Sequence, residues 1–152
     1  MTTPTITKGG WTGTRAGKPK AGATASRNKT VSMRDIELYT EITGDRNPLH
    51  YDEQAARDSL FGGLIVQGGV TTGMLNALVA EDMPGPGTVF LSMELKFTKA
   101  VYVGDTITGR VELLSVRDDK PICTLAVTVL NQNGEVCLSG QATTYTAALS
   151  KR

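Results

Sequence analysis

Histidine and cysteine are scarce in this chain of 152 residues, which has one histidine, His50, and two cysteines. A single histidine excludes zinc sites built on several histidines and iron sites built on a histidine pair, and the chain has no paired-cysteine knuckle. The cysteines, Cys123 and Cys137, are too few for a disulfide framework, and both lie in strand-like segments. We therefore expect two buried thiols in a reducing compartment, with no bound metal and no cofactor.

The chain also lacks an excess of positive or negative charge, because it has 16 Lys and Arg residues and 15 Asp and Glu residues. A nucleic-acid binding protein normally shows a basic excess or stripe, so we expect no nucleic-acid partner. No apolar run approaches the roughly 20 residues of a membrane helix, and no apolar signal segment stands at the start. The motifs GxxxxGK[ST], GxGxxG and GxSxG are absent, which argues against the common nucleotide-binding and serine-hydrolase classes. We predict a cytoplasmic protein without a membrane partner.

The first 30 residues differ in composition from the rest, with six basic residues, no acidic one and much Thr, Gly and Ala. We interpret residues 1–30 as a loosely ordered basic arm that leads into a first strand, and residues 31–152 as a single domain. A basic segment without acids also resembles a transit peptide. A mitochondrial location is the alternative that this segment leaves open.

Helical patterns occupy the middle of the chain. Ser32 opens a short amphipathic helix, because SMRD has the spacing of a capping box, and Gly44 suits its end. A second short helix is predicted at about 52–59. The apolar stretch from Gly68 to the PGPG at 84–87 predicts a helix of about 14 residues, whose thin polar face indicates that protein surrounds it.

From residue 88 onward the apolar period changes to two. The turns VGD, RDDK and NQNG separate four strand-length segments, TVFLSMELKF, DTITGRVELLSV, PICTLAVTVL and EVCLSGQATTYTA. Strands of this length favour a strongly curved antiparallel sheet. A buried helix followed by a sheet that can wrap it predicts a single α+β domain.

The only histidine stands in GDRNPLHYD (44–52), five places after Asp45. Pro48 pushes the preceding residue out of the α region, so the chain bends between the two groups. A bend can bring the carboxylate and the imidazole to one side, where they would hold a water molecule and move its protons. The alternative is that Asp45 caps a turn and that His50 is half-buried with a backbone partner. The position in a loop between helices favours function.

Two glycines, Gly68 and Gly69, open the long apolar helix in VQGGVTTG. The first amides of a helix lack intrahelical acceptors and favour negative charge or a polarised carbonyl oxygen. Glycine also lets a substrate approach the backbone closely. Tight packing of helix against sheet would explain the glycines equally well, and the sequence leaves both interpretations open.

The stretch YTEITGDRNPLHYDE followed by FGGLIVQGG resembles the MaoC-like (R)-specific enoyl-CoA hydratases, whose hallmark is D-x-N-P-x-H ahead of a glycine-containing helix start. The match extends through PGPGTVFLSMELKFTKAVYVGDTI and covers roughly residues 32–147. The resemblance implies a hot-dog fold, a homodimer or higher homo-oligomer with the active site near the interface, and reversible syn addition of water to a trans-2-enoyl thioester. The product would be an (R)-3-hydroxyacyl thioester of short to medium acyl chain. Coenzyme A enters only as part of the substrate.

By position, the resemblance makes Asp45 and His50 the catalytic dyad and Gly68 the residue whose amide binds the thioester oxygen. Asn47 matches a residue that shapes the loop. The other candidates for substrate binding are Gln67, which replaces the histidine of a frequent His-Gly-Met run, Gly69, and Asn76, which replaces a serine of some members. Candidates for the acyl-chain wall are Leu60, Leu64, Val66 and Met83, and candidates for the coenzyme A phosphates are Lys96 and Lys99.

Other functions remain compatible with the same motifs. One is dehydration of a 3-hydroxyacyl group on acyl-carrier protein, which is the same chemistry on another carrier. A hot-dog acyl-CoA thioesterase would also use a carboxylate and an amide donor. The last is a module that binds acyl thioesters without catalysis.

Overall fold

The computed structural model describes residues 10–149, which form one curved five-stranded antiparallel sheet around a central helix. The strands, in the spatial order β1-β3-β4-β5-β2, are β1 (Thr24–Thr30), β2 (Thr88–Phe97), β3 (Thr106–Val116), β4 (Ile122–Leu130) and β5 (Val136–Thr146). The helices are α1 (Met33–Thr43), α2 (Pro48–Tyr51), α3 (Glu53–Asp58) and α4 (Gly68–Ala77), which continues as a π-helical turn (Leu78–Asp82). No helix in this part of the chain is long and apolar enough to cross a membrane.

The four strands predicted from the two-residue period are confirmed. β2 coincides with TVFLSMELKF, and the ends of the other three differ from the prediction by one residue. In β4 the alternate residues Cys123, Leu125, Val127 and Val129 are buried, because successive side chains of a strand point to opposite faces. They share one apolar core with α4, whose Leu75 is fully buried.

The helices α1 and α3, which lie between β1 and β2 in the chain, also begin and end where the local patterns predict. The Asp35 carboxylate accepts a hydrogen bond from the Ser32 amide at 2.9 Å, as in a capping box. Gly44 follows α1 with φ of 80°, a left-handed conformation that favours glycine. The Asp52 carboxylate accepts from the Ala55 amide at 3.0 Å at the start of α3. The short helix α2 between them was not predicted.

Part of the predicted arm is built into the sheet. β1 pairs along its whole length with β3, and Trp11 is buried in the core, where its Nε1 donates to the Arg117 carbonyl at 2.7 Å. The boundary at residue 30 stays a prediction, and residues 1–9 of the predicted arm lie outside the described residues. Both cysteines are free and buried, as expected, and burial raises the pKa of the Cys123 thiol to about 11.

We expect Trp11→Ala to lower the free energy of unfolding by about 3–5 kcal/mol, because it removes a large buried ring and leaves a cavity. Trp11→Phe keeps an aromatic ring in the core but loses the second ring of the indole and the bond to Arg117, so its cost should be smaller. Urea unfolding followed by far-UV circular dichroism measures both, since Trp11 is the only tryptophan and its fluorescence is lost. A cost below 1 kcal/mol for Trp11→Ala would contradict the packing of this segment on the core.

Candidate active site

The loop between α1 and α3 is shaped by side chains that cap its own backbone. Asp45 Oδ1 accepts from the Asn47 amide at 3.0 Å, and Asn47 Oδ1 accepts from the Leu49 amide at 3.0 Å. Asn47 is thereby the N-cap of α2, with Pro48 in the first helical position, where its missing N–H is no loss. The predicted bend is present, and the Asn47 side chain accepts a hydrogen bond from the backbone of the loop.

The bend brings Asp45 and His50 together. His50 Nε2 lies 3.7 Å from Asp45 Oδ2, which is too long for a direct hydrogen bond. His50 is buried, and its Nδ1 lies 2.7 Å from the Ile65 carbonyl oxygen. Since a carbonyl only accepts, Nδ1 carries the proton of the neutral ring and Nε2 keeps its lone pair toward Asp45. A water molecule within reach of both groups would donate one proton to each.

A cleft of about 340 Å³ begins at the start of α4. Its mostly apolar wall is formed by Phe61, Ile65, Val66, Gly68, Thr71, Phe97, Thr98, Lys99, Ala100 and Val101. Gly68 is the first residue of α4, so its N–H has no intrahelical acceptor. Asp45 and His50 do not line the cleft; they adjoin it through Ile65, whose carbonyl holds the imidazole.

The two glycines at the start of α4 serve different purposes. A Cβ at Gly69 would lie 1.7 Å from the Tyr39 hydroxyl oxygen, so α1 packs directly on this glycine. A Cβ at Gly68 would lie 3.1 Å from Cε2 of Phe97, inside the cleft wall. The packing interpretation thus holds for Gly69, whereas Gly68 lines the cleft and the approach of a substrate to its backbone stays a prediction.

Two of the other predicted substrate-binding residues lie away from the cleft. Gln67 is buried with its amide nitrogen 3.1 Å from both the Ile36 carbonyl and the Thr40 hydroxyl, so its side chain faces α1. Asn76 is exposed, eight positions and about 12 Å along the helix axis from Gly68. Any role of these two side chains in substrate binding stays a prediction.

The cleft wall differs from the one expected. Of the four candidates only Val66 lines it, since Leu60 is 94% exposed, Leu64 lines a neighbouring cleft and Met83 belongs to the core. Phe61, Phe97 and Thr71 were missed. The helical spacing of three from Gly68 would have indicated Thr71, whereas only the fold brings the end of β2 beside α4.

The charged groups at the cleft rim are partly paired. Lys99 lines the cleft, and its Nζ lies 3.8 Å from Glu135 Oε2. A hydrogen bond from the Asn131 side chain, reinforced by Lys99, lowers the pKa of the Glu135 carboxyl. Lys96 is exposed on β2. A role for either lysine toward coenzyme A stays a prediction.

Several known proteins are similar to this chain in both sequence and fold. The sequence model described as "MaoC like domain" matches residues 15–134. The "(R)-specific enoyl-CoA hydratase" of Aeromonas caviae is 32% identical over 81% of this chain and 92% of its own length. The "3-hydroxybutyryl-CoA dehydratase" of Methylorubrum extorquens is 36% identical over 81% of this chain and 78% of its own length. The solved structure of the A. caviae (R)-hydratase involved in PHA biosynthesis superimposes with a TM-score of 0.81, at 30% identity, over 85% of this chain and 98% of that one. The predicted hot-dog fold is confirmed.

Proposed function

The chain belongs to the MaoC-like domain family, and on that premise we propose that it catalyses the reversible (R)-specific hydration of trans-2-enoyl-CoA to (R)-3-hydroxyacyl-CoA. Such an enzyme is a hydro-lyase. The proposal rests on one observation: His50 Nε2 lies 3.7 Å from Asp45 Oδ2, beside a cleft that is lined by Gly68, the first residue of α4.

Each member of the dyad keeps one acceptor for water. Asp45 Oδ1 is engaged by the Asn47 amide, which leaves Oδ2 for the water molecule. Nδ1 of His50 is engaged by Ile65, which leaves Nε2. The dyad takes one proton from the water as the water oxygen bonds to the β-carbon, and delivers that proton to the α-carbon on the same face, so that the water supplies both the hydroxyl group and the added hydrogen. The two groups act as one unit because they share that water.

The start of α4 stabilises the charge that this addition creates. As water attacks, electrons move onto the thioester oxygen, and we assign the Gly68 N–H, which lacks an intrahelical acceptor, as the donor to that oxygen. The α4 dipole adds positive potential at the same end of the helix. Coenzyme A is part of the substrate, and the reaction needs no other cofactor. We expect the acyl chain to be short to medium, and the apolar wall of the cleft, which includes Phe61 and Phe97, suits an acyl chain.

Incubation with crotonyl-CoA tests the proposed reaction. We expect loss of the conjugated absorbance without release of free thiol, and chiral chromatography should identify the (R)-3-hydroxy product. The buried cysteines of the protein, whose thiol pKa values are raised by burial, should contribute little to a thiol reagent at neutral pH. Free coenzyme A would indicate a thioesterase, and binding without turnover a non-catalytic module. Faster turnover of the same acyl group on acyl-carrier protein would indicate the other carrier.

We expect Gly68→Ala to lower kcat/KM by about tenfold. The new methyl would enter the cleft 3.1 Å from the Phe97 ring and displace the thioester from the amide, although the N–H itself remains. Gly73→Ala on the same helix is the matched control, because its Cβ would have no atom within 4 Å. The control should keep full activity and be at least as stable as the parent chain, because alanine favours a helix and its methyl meets no other atom. Urea unfolding of Gly68→Ala shows whether the contact with Phe97 changes its stability. Equal activity of the two variants would remove Gly68 from the proposed site.

We also propose a homodimer joined along β2. This strand ends the sheet, and its apolar Val89, Leu91, Met93 and Phe97 are 43–57% exposed, which is unusual for an unpaired edge. Phe97 also lines the cleft, so a second copy at this edge would border the site.

Met93→Lys should shift the protein from dimer to monomer in sedimentation equilibrium, because it places a charge in the middle of the edge. Ile42→Lys on α1, where Ile42 is 81% exposed, should leave the dimer intact. A monomeric parent chain at micromolar concentration would overturn the dimer.

A cytoplasmic location is our proposal for the compartment. Residues 24–30 form β1, and removal of a transit segment that included them would take a strand from the sheet. Imaging of the chain fused at its C-terminus to a fluorescent protein tests this. Accumulation in mitochondria would contradict it.

A further inference from the structure

A buried hydroxyl lies where α1, the Asp45 loop and the start of α4 meet. Thr40 is 4% exposed, and its Oγ1 lies 2.8 Å from the Asp45 carbonyl oxygen and 2.9 Å from the Ile36 carbonyl oxygen. Gln67 Nε2 lies 3.1 Å from the same Oγ1, and the Tyr51 hydroxyl is also in hydrogen-bond contact with it. We call Thr40, Tyr51 and Gln67 the Thr40 cluster.

Donor and acceptor chemistry determines how these bonds run. The two carbonyls only accept, so the single Thr40 proton is shared between them. The Gln67 amide nitrogen only donates, and the Tyr51 hydroxyl supplies the other proton, so both Thr40 lone pairs are occupied. The same reasoning orients Gln67, because its amide nitrogen must face the Ile36 carbonyl. The hydroxyl therefore uses its entire hydrogen-bonding capacity.

Three of the four contacts of the Thr40 hydroxyl reach a residue at or beside a predicted site residue, and the fourth is to Ile36 within α1. Asp45 is bonded directly, Tyr51 follows His50, and Gln67 precedes Gly68. His50 has its own link to the segment before α4 through Ile65. The hydrogen bonds that Asp45 makes among the described residues all end on residues 40–47. One hydrogen-bonded route from them to the start of α4 runs through Thr40 and Gln67, and a longer one runs through Asn47 and His50 to Ile65.

We propose that Thr40 is a positioning residue, whose hydroxyl holds the Asp45 carboxylate in register with His50 and with the Gly68 amide. This inference rests on the proposed hydratase function. A displacement of about 1 Å at a reacting group can lower a rate by up to about a hundredfold. Thr40 does not touch the substrate, so its loss should lower kcat and leave KM nearly unchanged.

Thr40→Val and Thr40→Ser form the matched pair that tests the inference. Valine has the shape of threonine without the hydroxyl, and serine keeps the hydroxyl without the methyl. We expect Thr40→Val to lower kcat for crotonyl-CoA by about tenfold or more, and Thr40→Ser to stay close to the parent chain. Thr146→Val is the control for loss of a buried hydroxyl elsewhere, since Thr146 bonds Thr88 at 2.8 Å in the sheet. Its kcat should not change.

Two further variants keep the test decisive if Thr40→Val does not fold. Gln67→Met and Tyr51→Phe each remove one contact to the Thr40 hydroxyl and leave the hydroxyl itself, and Gln67→Met also removes the bond to the Ile36 carbonyl. Each should lower kcat by a smaller factor than Thr40→Val does. The double variant Gln67→Met/Tyr51→Phe should lose less than the product of the two single effects, because both act through one hydroxyl. Full kcat in folded Thr40→Val, equal losses in the valine and serine variants, or full kcat in both Gln67→Met and Tyr51→Phe would overturn the inference.

Hydrogen exchange separates this inference from the proposed function. The amides of residues 44–47 and of Leu49 should exchange faster in Thr40→Val than in Thr40→Ser, whether or not the chain hydrates crotonyl-CoA. If exchange is faster in Thr40→Val but the parent chain does not hydrate crotonyl-CoA, the hydratase function is overturned, and the role of Thr40 in holding the Asp45 loop is kept. Unchanged exchange, with an active parent chain and an active valine variant, would overturn the role of Thr40 alone.

Discussion

His50→Asn should lower kcat for the hydration of crotonyl-CoA by at least about a hundredfold, the usual contribution of a general acid or base. The asparagine amide nitrogen can take the place of Nδ1 and donate to the Ile65 carbonyl, so the loop keeps its link to that residue. Only the nitrogen that faces Asp45 is lost. Steady-state kinetics measures the loss of kcat, and urea unfolding measures separately whether the stability of the chain is kept.

His50→Ala is the informative companion to the asparagine variant. It removes the same catalytic nitrogen and also leaves a buried carbonyl unpaired, which should cost about 1–3 kcal/mol of stability. We therefore expect equal losses of kcat in the two variants and a lower stability for alanine. An asparagine variant within a few-fold of the parent chain would show that the imidazole is a structural residue with a backbone partner, the alternative that the sequence left open.

Asp45→Asn should cause a loss of similar size, again at least about a hundredfold in kcat. The asparagine side-chain oxygen can still accept from the Asn47 amide, so the turn survives. The other oxygen is replaced by an NH2 group, which cannot accept a proton from water. Asp45→Ala, in contrast, loses the turn as well. Kinetics with crotonyl-CoA and urea unfolding compare the parent chain with Asp45→Asn and Asp45→Ala.

Asp58→Asn is the matched control for Asp45→Asn. Asp58 is an exposed carboxylate on α3 that accepts from Gln54 within the same helix. Its neutralisation should leave kcat unchanged. The double variant His50→Asn/Asp45→Asn should be little worse than either single one, because the two groups act on one water molecule. A loss of kcat in the double variant equal to the product of the two single losses would contradict a shared water molecule.

The elements that the sequence predicted well are those decided by neighbouring residues. The capping box at Ser32, the left-handed Gly44 and the N-cap Asp52 each act within four residues, so composition and spacing were sufficient. The four strands followed from strict alternation, because one face of each must meet the core. The short helix α2 was missed because its cap depends on the Asn47 rotamer in a loop of mixed pattern.

Residues that face one another across the fold were predicted less well. Gln67 and Asn76 lie on or beside α4 at positions where the resemblance implied site residues, but one side chain faces α1 and the other faces solvent. Leu60 was a candidate for the acyl wall and is almost fully exposed, whereas Phe97 contributes from the far end of β2. Hydrophobicity indicates burial on average and does not say which element lies opposite.

The sequence by itself determined the order of helices and strands, the proline bend that carries Asp45 and His50, and the glycine at the start of α4. These features depend on backbone dihedral preferences and on periodicity, which are local properties. Tertiary structure alone decided that Gly69 packs on Tyr39 while Gly68 opens to the cleft, that Ile65 orients the imidazole, and that Thr40 links the loop to α4. Those contacts join residues distant in sequence, and they form only when the sheet closes around the helix.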